Sequence, residues 1–164
     1  MLSNYQIMLI TSSHPCTVDK ESGVFPINGL PLQPKTYPAF WIVNSVKADE
    51  KYGHWFSIFF PHHNEPAEFY CPLGKKPQDY SPVIEPILFA AGDARYKTYN
   101  TPSQPANSTS CGYFCLWFVD QRCRNYSFEV CMGKLSKDDL QHNEVKVVNY
   151  VVEHMKPPAI NLLG

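Results

Sequence analysis

Short apolar runs separated by polar or turn-forming segments predict a small β-sheet in the first half of the chain. Residues 39–46 and 53–60 are rich in aromatic and β-branched side chains, which is typical of buried strands. Residues 61–66 (Pro-His-His-Asn-Glu-Pro) predict a turn, and residues 68–71 predict a second, shorter arm of a hairpin. Residues 94–98 predict a further strand at the edge of the sheet.

The second half of the chain has a helical pattern. A polar, proline-containing loop leads into the apolar run of residues 111–124, which predicts a largely buried helix. Residues 136–155 begin with a capping-box-like Ser136-x-x-Asp139 and carry an apolar stripe, which predicts a long surface helix. Three shorter helices are predicted over residues 2–10, 81–92 and 126–134. The expected fold class is α+β, with a central helix headed by Cys111 and packed on a small mixed β-sheet.

Length and composition favour one globular domain. At 164 residues with 44% hydrophobic residues, the chain is long enough to bury a core, and we expect a single domain over residues 1–164. Residues 1–22 and 156–164 are expected to be loosely packed ends. Residues 15–38 carry five prolines and predict an irregular wrap over the core.

Charge and cysteine spacing exclude several classes of function. The net charge is −1, which gives no support for nucleic-acid binding. The sequence has no CxxC pair for a zinc site, so no metal or other cofactor is predicted. It also shows no signal peptide and no apolar run long enough to span a membrane. We therefore expect reduced thiols and a nuclear or cytoplasmic location rather than secretion.

Cys111 has the setting of a nucleophile. It lies in the first turn of the predicted central helix, where the helix dipole and unpaired backbone N–H groups favour a thiolate. The Cys111 N–H and the amide of Gln104, seven positions upstream, are candidates to stabilise an oxyanion. A buried structural cysteine at a helix start is the alternative interpretation.

His54 is the candidate partner of this thiol. It follows Gly53 and precedes Trp55 at the start of the first hairpin arm, near the end of the second arm. Nucleophilic cysteine catalysis needs a Cys and a His that are distant in sequence and adjacent in space. Trp55 has two interpretations, a residue that lines the cleft beside the histidine or a plain core aromatic.

Together these segments resemble a known family. Gly-His-Trp, a strand–turn–strand ending in Pro72-Leu73-Gly74, and Gln-x6-Cys-Gly-x-x-Cys are similar to the adenovirus-type (adenain-like) cysteine proteases, most closely to those of Polinton/Maverick elements and adintoviruses. The resemblance covers about residues 23–152. It implies a papain-like or adenain-like fold, a His54–Cys111 catalytic pair with Gln104 as oxyanion donor, and substrate contacts at Gly53, Trp55 and Gly112.

The sequence departs from the family pattern at Cys71. The family has an acidic residue at the end of the second hairpin strand, where it orients the histidine. Glu68 lies three positions earlier, and this odd offset in a strand points its side chain to the opposite face. Loss of the acid costs a serine triad about 10⁴ in kcat. We therefore expect either a His54–Cys111 pair of reduced activity, with Cys71 in the acid's place, or a weak copy.

The resemblance also implies partners. The expected substrates are virion precursor proteins cut at Gly-containing sites, and packaging in virions is a further expected location. Any activating peptide would lack a disulfide tether, because no cysteine lies between Cys71 and Cys111. We expect a monomer without membrane contact. Two alternatives remain open: a protease that removes ubiquitin-like modifiers, and a pseudoprotease that acts as a binding module.

Overall fold

The computed structural model describes residues 1–12, 22–49 and 53–155. Within them, the sheet contains strands β1 to β5, in that spatial order: Ser22–Pro26, Ala39–Asn44, Trp55–Phe60, Ala67–Tyr70 and Tyr96–Thr98. Helices α1 to α5 are Asn4–Ser12, Ile84–Ala91, Cys111–Cys123, Phe128–Gly133 and Leu140–His154. Two short 3₁₀ turns are Ile27–Gly29 and Pro77–Asp79.

The sheet is mixed. β2, β3 and β4 are antiparallel neighbours, and this confirms the predicted hairpin, with Ser57 opposite Tyr70 in the register. The outer strands β1 and β5 pair in parallel with β2 and β4. β1 corrects the prediction of an irregular wrap, since part of the proline-containing segment is a strand that ends at Pro26.

The central strands bury both faces, with side chains that alternate between two cores. On β4, Tyr70 packs toward α3, while Ala67 and Phe69 pack toward α2, as does Cys71 directly after the strand. β3 alternates in the same way. Its α3 face includes Trp55 and Phe59, and its α2 face includes Phe56, Ile58 and Phe60. Consecutive residues at the end of β4 therefore lie in different cores, with Tyr70 on the α3 side and Cys71 on the α2 side.

Helix α3 is the buried centre of the fold. Most of its residues are buried, and it contacts β3, α5 and α1. A helix that is apolar on all sides is typical of such a position. Helix α5 has one apolar stripe, with Val147 and Val151 buried, and the Asp139 side chain caps it by accepting a hydrogen bond from His142 N at 2.9 Å. The predicted α+β class, with a Cys111-headed helix on a mixed sheet, is confirmed.

The amino-terminal helix α1 is part of this core. Leu2, Ile7 and Ile10 are buried beside α3. Of the ends expected to be loosely packed, residues 13–21 and 156–164 lie outside the described residues. No helix in the described parts of the chain combines the length and apolarity needed to cross a bilayer.

Candidate active site

The head of α3 meets the start of β3. The Cys111 Sγ accepts a hydrogen bond from the backbone N–H of Trp55 at 3.4 Å, across 56 positions of sequence. Trp55 directly follows His54, so the fold brings the candidate nucleophile to the backbone beside the candidate base. Cys111 is 0% exposed, so access to its sulfur requires a local movement.

The backbone of His54 is fixed by the end of β2. Its N–H donates to Ser45 Oγ at 2.9 Å, and its carbonyl accepts from Ser45 N at 2.8 Å. Gly53 allows this approach, since a Cβ there would lie 2.4 Å from Asn44 Oδ1. The imidazole is half-buried, and its Nδ1 is buried with no hydrogen-bond partner among the described residues. The structure shows no hydrogen bond between this nitrogen and the Cys111 Sγ, so the pairing of the two side chains stays a prediction.

The remaining predicted substrate contacts, Trp55 and Gly112, lie against the amino-terminal segment. Trp55 is 1% exposed, and its indole Nε1 donates to the Leu2 carbonyl at 3.2 Å. A Cβ on Gly112 would lie 3.3 Å from atoms of Leu2 and Ile7. The burial of Trp55 favours the plain core interpretation. Its contact with substrate, and those of Gly53 and Gly112, stay predictions.

Gln104 lies in the loop before α3, which packs on the turn after β4. The backbone N–H groups of Ser103 and Gln104 both donate to the Pro72 carbonyl, at 2.7 and 3.2 Å. The Gln104 side chain is fully buried, and its Nε2 donates to the Ser108 carbonyl at 3.2 Å. Its Oε1 has no partner in the described part of the chain. The loop thus holds the amide in place, and its donation to an oxyanion stays a prediction.

Cys71 faces the α2 side of the sheet. Its buried Sγ lies 3.0 Å from the hydroxyl of Tyr80, whose ring stacks on Phe56. Burial raises the pKa of Tyr80, and Cys71 adds to this, so the phenol stays protonated. The sequence predicted a thiol in the place of the acid but gave no sign of Tyr80 beside it, since this contact depends on the chain path after β4.

Glu68 points to the other face, as its odd offset predicts. It forms a buried ion pair with Arg122 of α3, with Nε–Oε2 and Nη2–Oε1 distances of 2.7 and 2.9 Å. Burial raises the pKa of Glu68, although the hydrogen bonds from Arg122 oppose this. Glu68 is therefore a structural residue and not a substitute for the missing acid.

The electrostatics of the site correct the expectation of a resting thiolate. Burial raises the pKa of the Cys111 thiol and outweighs the backbone N–H groups of Trp55, Gly112 and Cys111, which lower it. Burial and the positive charge of Lys75 lower the pKa of His54. Both shifts favour the neutral forms of the two groups in this closed arrangement, and not the thiolate.

The thiols differ in state. Cys71, Cys111, Cys115 and Cys131 are free, so the candidate nucleophile is available for chemistry. Cys123 is disulfide-bonded, and the expectation of fully reduced thiols is wrong at this residue. Within the described residues, no cluster of three or more His, Cys, Asp or Glu side chains is arranged to hold a metal ion.

Lys75 provides a test of the site's electrostatics. We expect Lys75→Met to raise the pKa of His54, because it removes the cation that disfavours the imidazolium. NMR titration of the His54 ring measures this. Lys76→Met is the matched control, since Lys76 exerts no resolved effect on that ring. An unchanged or lower His54 pKa in Lys75→Met would show that burial alone sets it.

No protein-family model matches the sequence, and no curated protein matches it. Among solved structures, the chain is similar to two crystal structures of the ASFV pS273R protease, one with selenomethionine. The TM-scores are 0.43 for the first and 0.41 for the selenomethionine form, at 16% and 18% identity. The alignments cover 66% of this chain but only 41% and 42% of the protease chains. The chain thus spans about two fifths of those proteins, and a likeness at these TM-scores carries no argument about its function.

Proposed function

We propose that this protein is a cysteine-type endopeptidase, with Cys111 as nucleophile and His54 as general base. The observation that carries the proposal is the 3.4 Å hydrogen bond from the Trp55 N–H to the Cys111 Sγ. It brings the free thiol at the head of α3 to the residue beside a half-buried imidazole whose Nδ1 has no partner among the described residues. A Cys at a helix start and a His at a strand start, held by separate rigid elements, are typical of this chemistry.

The neutral forms of the two groups define the order of the proposed steps. As the Cys111 sulfur attacks the peptide carbonyl carbon, its proton passes to His54, and an S–C bond forms. His54 then delivers that proton to the leaving amine as the C–N bond breaks. In the second half, His54 takes a proton from water, whose oxygen attacks the thioester carbon. The S–C bond breaks, and the thiol regains its proton.

The oxyanion formed in both halves needs fixed donors. The Cys111 N–H lies at the start of α3, and the Gln104 amide is held by the adjacent loop. The Nε2 group of Gln104 carries two hydrogens: one donates to the Ser108 carbonyl, and the other would donate to the oxyanion. Removing one such donor from a protease costs about 10² to 10³ in kcat.

The proposed substrates are viral or mobile-element precursor proteins cut at Gly-containing sites. This part of the proposal is supported by the sequence resemblance to adenain-like proteases. The substrate would have to reach a sulfur that is 0% exposed, so binding is coupled to movement of the segment around Leu2, which packs against Trp55 and Gly112.

A non-catalytic binding module is the second candidate. Two observations favour it: Cys111 is fully buried, and Cys71 replaces the acid and contacts Tyr80 instead of presenting a charge.

One assay distinguishes the endopeptidase, a deconjugating enzyme and the binding module. Purified protein is incubated with Gly-containing fluorogenic peptides and with fusions of ubiquitin-like modifiers, alongside His54→Ala. Cleavage of peptides that His54→Ala abolishes supports the endopeptidase. Preference for the fusions identifies a deconjugating enzyme, and no cleavage of either supports the binding module.

Restoring the acid should raise activity. We expect Cys71→Asp to increase kcat/KM by about tenfold or more, because a carboxylate stabilises the imidazolium formed on His54. The Tyr80 hydroxyl, 3.0 Å from Cys71 Sγ, is placed to donate to this carboxylate. Steady-state kinetics across pH measure the effect.

Cys71→Ser is the matched control for this variant, because serine has similar size and no charge. Equal gains in the serine and aspartate variants would indicate relief of packing rather than a charge effect. No gain in Cys71→Asp, with His54 in its native position, would mean that another group orients the ring.

A further inference from the structure

The loop that carries Gln104 is attached to α5 at two points. At its start, the Asn143 side-chain Nδ2 donates to the Ser103 carbonyl at 3.0 Å. At its end, the Ser108 hydroxyl donates to the Glu144 carboxylate. Asn143 and Glu144 are consecutive residues in the first turns of α5, so one short stretch of this helix contacts both ends of the loop.

The first attachment is buried and complete. Asn143 is 1% exposed, and its Nδ2 also donates to the Ser136 carbonyl at 2.7 Å, while its Oδ1 accepts from Ser136 N at 2.8 Å. Both amide hydrogens and the amide oxygen are thus engaged. A side chain bonded in this way has one orientation, and it fixes the Ser103 carbonyl immediately before Gln104.

The second attachment connects to the head of α3. The Ser108 carbonyl accepts a hydrogen bond from Gln104 Nε2 at 3.2 Å. The Ser108 hydroxyl lies 2.7 Å from Ser110 Oγ and accepts a hydrogen bond from Ser110 N at 3.1 Å. Ser110 is the N-cap residue of α3, directly before Cys111. Glu144 therefore holds the serine that contacts both the Gln104 amide and the residue before the nucleophile.

From these contacts we infer that Asn143 and Glu144 are positioning residues of the active site, which hold the Gln104 loop in a geometry that can stabilise an oxyanion. The inference rests on the proposed peptidase function and adds α5 to its machinery. Oxyanion donors are effective because they need no reorganisation during the reaction, so a loop released from its anchors loses much of that benefit.

The experiment uses Glu144, since Asn143 is buried and its replacement can unfold the protein. In Glu144→Ala we expect kcat to fall about tenfold with KM within about twofold, because misplaced donors act in the transition state. Glu144→Gln keeps an acceptor for Ser108 and should recover most of kcat. Glu153→Ala, an exposed acidic residue on the same helix, should behave as wild type.

A double-mutant cycle separates positioning from general stability. If Glu144 acts through Gln104, Glu144→Ala should cost less than about twofold when added to Gln104→Ala. Hydrogen exchange gives a readout independent of activity: the Ser108 and Ser110 amides should exchange about tenfold faster in Glu144→Ala and not in Glu153→Ala.

Each outcome has a distinct meaning. Two results would overturn the inference while the protein remains an active enzyme. One is that kcat is unchanged in Glu144→Ala. The other is that Glu144→Ala still lowers kcat about tenfold when it is added to Gln104→Ala. If the wild-type protein shows no peptidase activity, the proposed function fails. Hydrogen exchange then decides alone whether Glu144 holds the loop, and unchanged exchange would overturn that as well.

Discussion

Cys111→Ser is expected to reduce peptidase activity by at least about 10³-fold. A serine hydroxyl is far less acidic than a thiol, and His54, whose pKa is lowered by burial and by Lys75, is a weak base for it. Single-turnover cleavage of a Gly-containing peptide measures the loss, and circular dichroism checks that the variant folds.

Cys131→Ser is the matched control for this variant. Cys131 is also a free, buried thiol, but it lies in α4, away from the head of α3. It should keep close to wild-type activity per folded molecule. If Cys111→Ser retained the same activity as Cys131→Ser, the observed hydrolysis would not use Cys111.

Arg122→Met is expected to destabilise the fold by about 3–5 kcal/mol, the largest expected effect on stability. It leaves the Glu68 carboxylate, whose side chain is 2% exposed, without its cation inside the core. It also removes a hydrogen bond from Nη1 to the Tyr126 carbonyl at 2.6 Å and the guanidinium packed over the Phe59 ring. Urea denaturation gives the free energy of unfolding.

The pH dependence of this loss has a defined sign. Without Arg122, the pKa of Glu68, already raised by burial, rises further above its unfolded value, so the carboxyl group must lose its proton inside the core as pH increases. The folded state is then favoured less as pH rises through that pKa, and the deficit of Arg122→Met should grow from acidic to neutral pH.

Two comparisons test the origin of the deficit. Replacing both members of the pair, Glu68→Leu with Arg122→Met, should cost less than Arg122→Met alone, since no buried charge remains. Lys97→Met removes the exposed pair with Glu129 and should cost about 1 kcal/mol or less. A deficit of Arg122→Met no larger than that of Lys97→Met would mean that Glu68 is hydrated or protonated in the native protein.

Local sequence signals were sufficient for the central part of the fold. The aromatic and β-branched runs around Phe56 and Phe69, separated by the turn at residues 61–66, predicted the hairpin, and the apolar run after Cys111 predicted α3. Strand β1 was not predictable in this way, because a proline-containing segment becomes a strand only through parallel pairing with β2. Within the predicted helix 81–92, Pro86 favoured a start nearer Glu85, and α2 begins at Ile84.

The site shows the same division. A Cys at a helix start and a His at a strand start are visible in the sequence, and the fold brings the sulfur of Cys111 to the backbone beside His54. The direction of the shift in the Cys111 pKa was not predictable. The backbone N–H groups at the helix start lower this pKa, but burial, which is a property of the closed fold, raises it more. The lowering of the His54 pKa by Lys75 was not predictable either, because it depends on the path of the folded chain. Lys75 follows the turn at Gly74, where φ is 72° and the chain packs against Thr101 and Pro102.

The most direct measurement of the central claim is covalent capture of the nucleophile by a peptide that ends in a glycine electrophile. After incubation with this probe, peptide mapping by mass spectrometry should find one adduct per molecule, on Cys111, and the rate of capture should fall in His54→Ala. No adduct, or labelling spread over Cys71, Cys111 and Cys131 at rates that His54→Ala does not change, would contradict an activated thiol at the head of α3.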